Sequence, residues 1–89
     1  MTVEWEARTL DRLASIYVAA TPAVRDAIVR CVERINARLA VDPGASGESR
    51  GLGRRAWVVH PLVVGYDLPP GGTVLVNPIA PFKGRAPDG

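Results

Sequence analysis

Cysteine and histidine are almost missing from this 89-residue chain, and each scarcity excludes something. Cys31 stands alone, so no intrachain disulfide can form. One cysteine and one histidine cannot supply a zinc set of four ligands, and no metal is expected. Cys31 falls within the apolar rhythm of a helical segment, which reads as a small core side chain rather than a reactive thiol. No apolar run approaches the length of a membrane span. The opening residues Met1-Thr2-Val3-Glu4-Trp5-Glu6 carry acids where a secretory leader carries a basic and then an apolar stretch, so a cytoplasmic protein is expected.

What is present fits one small globular domain. Apolar residues make up 47% and charged residues 22%, too apolar a mixture for a disordered chain. We expect a single domain over residues 1–80 and a flexible tail over 81–89, where proline, glycine and polar residues dominate. Domains of this size bury only about 60% of their unfolded surface, so the core must be compact and stability can lean on a partner. The net charge of +2 is unevenly placed. Residues 1–49 hold six arginines against seven acids, whereas residues 50–89 hold four arginines and Lys83 against two. This basic excess in the second half suits a weak electrostatic footprint for RNA or for an acidic protein partner.

Periodicity sets the elements. Val3 and Trp5 alternate with Thr2, Glu4 and Glu6, which predicts a short first strand. A helix follows from about Ala7 to Ala20, with Leu10, Leu13 and Tyr17 as its apolar stripe. Thr21-Pro22 ends it and caps the next helix. That second helix has the strongest pattern: Val24, Ile28, Cys31, Val32, Ile35 and Leu39 recur at spacings of three and four. Its charges read as a solvated face, with Asp26 and Arg30 placed to pair one turn apart. Asp42-Pro43-Gly44 breaks the helix, and a loop through Gly51 follows. Strands are expected over 54–60, 62–68 and 73–79, with a turn at 69–72 and fraying or an edge position at Pro78. The order defines an α+β fold: two N-terminal helices on one face of a small twisted antiparallel sheet, made from an N-terminal strand and three C-terminal strands.

Centring the first hairpin on His60-Pro61 pairs Val59 with Leu62 and, counting outward, Arg54 with Asp67. One face then carries Arg55, Trp57, Val59, Leu62, Val64, Tyr66 and Leu68, and its bulk assigns it to the helices. Arg55 and Tyr66 are expected at the rim of that face, the ring available to the guanidinium. The other face carries Arg54, Ala56, Val58, Val63, Gly65 and Asp67, a shallow surface where Asp67 partly neutralises Arg54. One extra turn residue would exchange the two faces.

The element order, Arg38-Leu39-Ala40-Val41-Asp42-Pro43, Gly47-Glu48-Ser49-Arg50, Arg54-Arg55 and Pro61-Leu62-Val63-Val64-Gly65-Tyr66-Asp67-Leu68 together resemble the RelE/ParE superfamily of type II toxin–antitoxin toxins. The likeness spans about residues 3–80 and is strongest to short plasmid-stabilisation proteins. It implies a cognate antitoxin as partner, no membrane association and no cofactor. In the RelE branch it implies a metal-independent mRNA endonuclease acting on the ribosome. RNA cleavage places extra negative charge on phosphorus and requires proton transfers, hence cations and a general acid or base. In the ParE branch it implies inhibition of DNA gyrase by protein contact, and a degenerate member would bind only its antitoxin.

Carried over position by position, the resemblance gives catalytic roles to Arg54, Lys83 and His60, and phosphate contacts to Arg50, Arg55 and Arg85. Trp57 and Tyr66 read as partner or core-rim residues. The RelE cations of the first two hairpin strands fall on Ala56 and Val63, and the C-terminal tyrosine has no counterpart, because no Tyr or His follows Tyr66. The nuclease constellation is depleted. His60, beside Pro61, reads more readily as a turn residue than as a base. Glu48 stands two residues from Arg50 and reads as a solvated loop acid.

Overall fold

The N-terminal half folds as its capping and periodicity require. In a computed structural model that describes residues 2–51, 53–68 and 72–82, β1 (Thr2–Trp5) leads into α1 (Ala7–Ala19) and α2 (Pro22–Val41). Thr21 caps α2 by accepting from the Val24 amide at 3.4 Å, and Pro22 opens the helix. Arg25 closes α1 from the next helix. Its Nε and Nη2 donate to the carbonyls of Tyr17 and Val18 at 2.9 and 2.8 Å, and its guanidinium lies 5.3 Å from the Tyr17 ring centre. The last-turn carbonyls thereby gain a cationic donor, the Tyr17 carbonyl in addition to the Ala20 amide that it already accepts from. No ion pair joins Asp26 and Arg30 among the described residues, where the one-turn spacing had suggested one.

A 3₁₀ turn (Pro43–Ala45) leads to β2 (Glu48–Gly51), β3 (Arg54–Val59), β4 (Leu62–Asp67) and β5 (Thr73–Pro81). The sheet order is β1-β5-β4-β3-β2. It differs from the expected sheet in three respects. β1 runs parallel to β5, Thr2 opposite Thr73 and Trp5 opposite Val76, so the sheet is mixed rather than antiparallel. The stretch expected as a loop forms β2, an outer strand antiparallel to β3 with Glu48 opposite Ala56. Every residue of β2 is exposed, so backbone pairing holds it rather than burial of its side chains. Gly47 turns into it at φ +67, and a Cβ there would lie 2.5 Å from the Ala56 carbonyl oxygen.

The third difference is at Pro78, where the strand does not fray; β5 lies between β1 and β4, but β1 has ended by this point, so the proline keeps the expected edge position on that side. β5 continues through Pro81, one residue past the expected end of the domain, and residues 83–89 of the expected tail lie outside the described residues. Gly65 faces two residues, Asn77 and Pro78, because the β4–β5 register shifts between Val64 and Tyr66. β1 stops opposite Val76, so proline's missing N–H removes nothing from that ladder. The extra residue also resets the faces of β5: Val74 and Val76 point inward, and after the bulge Ile79 does.

The expected β3–β4 register holds at every position from Arg54–Asp67 to Val59–Leu62. Val59, Leu62, Val64 and Tyr66 are buried under the helices with Ile28, Cys31, Ile35 and Leu39 of α2. Trp5 fastens β1 to α2 by donating from Nε1 to Asn36 Oδ1 at 2.7 Å. The α1 stripe is rotated from its expected position. Leu13 and Ile16 pack on the core and Thr9 is buried, whereas Leu10 and Tyr17 remain 49% and 39% exposed. No helix among the described residues is long and apolar enough to cross a membrane.

Candidate functional site: the open sheet face

The sheet face turned away from the helices carries Arg54, Ala56, Val58, Val63, Gly65 and Asp67, as alternation from the buried set requires. Arg54 is its central polar group. Nη1 lies 3.0 Å from Asp67 Oδ1, and Nη2 donates to the Asn77 carbonyl at 2.7 Å. That second bond crosses Gly65, where a Cβ would stand 3.3 Å from Arg54 Nη2 and 2.9 Å from the Asn77 oxygen and the Pro78 ring. Gly65 thus admits the arginine, and the bulge presents the carbonyl that receives it.

Next to it, Gly47, Glu48, Arg50, Ala56, Trp57, Val58 and Val63 border a shallow basin of about 350 Å³. Arg50 reaches Glu48 at 3.5 Å, with both side chains largely in solvent. An exposed pair of this kind contributes only about 0–1 kcal/mol and leaves both groups available to a partner. Glu48 is therefore solvated, as expected, and pairs with Arg50. Val58 and Val63, opposite each other, form the apolar middle of the face.

The candidate residues do not converge. Arg54 and His60 lie at opposite ends of β3, six residues apart, or about 20 Å at the rise of a strand. One phosphate cannot be held by the first and reached by the second. His60 is exposed in the β3–β4 turn, its ring edge-on to Phe82 with centroids 6.3 Å apart. Lys83 and Arg85 lie outside the described residues.

Arg55 points under the helices. Its Nε and Nη2 donate to the carbonyls of Ser46 and Gly47 at 2.7 and 2.8 Å. Tyr66, expected at the rim, is fully buried in the core, and its hydroxyl reaches the Pro43 and Ser46 carbonyls. The two side chains share a task other than ring–cation contact: both anchor the 43–47 turn that feeds β2. Burial pushes the Tyr66 phenol above its usual range, and the hydrogen bond and charge of Arg55 partly offset this. Trp57 is half-buried against the core cluster.

A second surface escaped the sequence reading. Leu10, Leu13, Ala14, Tyr17 and Val18 of α1 face Ile28, Val29 and Val32 of α2 across an open groove of about 420 Å³ with almost no polar lining. Val18 is 70% exposed and Val29 45%. The signal was in the sequence: both valines fall outside the stripe that packs on the sheet, so each helix has a second apolar face.

Comparison with solved structures places the fold. The chain superposes on the solved structure of the chromosomal ParDE TA (toxin–antitoxin) system from P. aeruginosa with a TM-score of 0.73 and 20% identity, covering 93% of this chain and 97% of that one. The likeness defines the fold: two helices on a mixed five-stranded sheet, RelE/ParE-like in architecture. No protein-family model matches the chain, and no curated protein matches it.

Proposed function

We propose that this chain is the toxin of a type II toxin–antitoxin pair and that it acts by binding proteins, in the ParE manner, rather than by cutting RNA. The observation that carries this reading is the state of Arg54. Arg54, which the resemblance sets at a catalytic position, is held by Asp67 and the Asn77 carbonyl, and Ala56, Val58 and Val63 share its face. A nuclease face needs uncompensated cations where phosphate charge develops. This face is apolar with paired charges, which suits a protein surface. The separation of Arg54 from His60 supports the same reading. The proposed target is DNA gyrase, and the proposed cover for the α1–α2 groove is a segment of the antitoxin.

Controlled expression of the chain alone is expected to arrest growth, and the purified protein to inhibit gyrase supercoiling with cellular mRNA left intact. Arrest accompanied by mRNA cleavage on the ribosome, lost on Arg54→Ala, would instead establish the endonuclease reading, with Arg54 as one of its residues. Unimpaired growth would leave an antitoxin-binding module without toxicity.

A further inference from the structure

The two flanks of α2 differ in chemistry. Val29, Val32 and Glu33 border the interhelical groove, whereas Ala27, Arg30, Cys31 and Arg34 border a separate cavity of about 260 Å³ closed by Val59 and His60. Arg30 and Arg34 stand one turn apart, a rise of about 6 Å along the axis. Among the described residues neither guanidinium is in an ion pair or a side-chain hydrogen bond, and no acid lines the cavity. The β3–β4 turn brings the exposed imidazole of His60 against this pair from the sheet side. Ala27 and Cys31 also line it, and the Cys31 thiol donates inward to the Val59 carbonyl.

We infer that Arg30, Arg34 and His60 form a phosphate-binding site on the α2 flank. Two guanidinium forks present parallel N–H donors to a tetrahedral oxyanion, and the imidazole supplies a donor from the opposite wall. Ala27 and Cys31 offer no apolar recess for the rest of a ligand, so recognition stops at the phosphate group and the organic part stays in solvent. The site is independent of the open sheet face and does not rest on the proposed function.

The test is titration of the isotopically labelled protein with inorganic phosphate at constant ionic strength, followed by NMR. Saturable shifts are expected at residues 27–34 and 59–60. Arg30→Gln combined with Arg34→Gln should weaken binding roughly tenfold or more, as loss of charge-assisted hydrogen bonds requires. Arg8→Gln combined with Arg12→Gln removes the same charge from exposed positions of α1 and should leave the affinity unchanged. Equal weakening by both pairs, or shifts scattered over all the arginines, would overturn the site. Competition separates the sources of phosphate. Displacement by single-stranded RNA with steep salt dependence assigns a nucleic-acid backbone, and displacement only by a nucleoside monophosphate assigns a small phosphate ester.

Discussion

Cys31 shows how much one side chain's surroundings decide. It is 4% exposed, and burial pushes its thiol up to about 11 against the opposing influence of Arg34 and a backbone hydrogen bond. A raised thiol pKa means that the folded state holds its proton after the unfolded chain has lost it. Stability is therefore unaffected below pH 9, the ordinary thiol value, and falls as pH rises from 9 to about 11. The loss should be on the order of 3 kcal/mol, read from urea unfolding across that range. Cys31→Ala should flatten this part of the profile, and an unchanged slope in the variant would assign the loss to other groups. The same burial should keep the thiol unlabelled by a disulfide reagent until the protein unfolds.

Among the elements, the β4–β5 bulge does most to shape the open face. Gly65→Ala would bring a Cβ to 2.9 Å from both the Asn77 oxygen and the Pro78 ring, neither of which can swing aside. A destabilisation of about 1–3 kcal/mol is expected by denaturant unfolding, together with loss of the Arg54–Asn77 bond. A neutral result would mean that the bulge can relax. The helices, the three C-terminal strands and the β3–β4 register were legible because side-chain period and turn chemistry fix them locally. β2, the parallel pairing of β1 and the bulge were not, because each depends on backbone pairing with a distant partner. Glu48-Ser49-Arg50-Gly51 has little strand propensity, and only the outer edge of β3 makes it a strand. At the site, Arg54 and its Asp67 partner were readable by counting outward from the turn. The Asn77 carbonyl was not, since it faces Arg54 only after the register shift. Arg55 and Tyr66 were placed on the correct face but given the wrong depth, because the 43–47 turn that covers them leaves no periodic trace.

Taken whole, the molecule has its depth in the sheet and α2. α1 contributes one buried residue, Thr9, whereas α2 contributes Ile28, Cys31, Ile35 and Leu39. Amide hydrogen exchange should therefore be slowest in α2 and in β3 to β5 and distinctly faster along α1. Equal protection of the two helices would show that the groove closes in solution. This division also leaves the apolar groove beside the less anchored helix, where a partner segment has the most to stabilise.

The parallel pairing of β1 with β5 has a consequence for how such a chain comes into being. Of the described strands, the one earliest in the sequence lies beside the one latest in it, and Val74, Val76 and Ile79 of β5 complete the core. A chain lacking β5 has β1 detached from the β3–β4 hairpin, and the core lacks Val74, Val76 and Ile79. Contacts this distant along the sequence form late and slowly. Synthesis through Pro81 thus acts as a delay for the open face: the bulge that presents the Asn77 carbonyl to Arg54 exists only once β5 has been made.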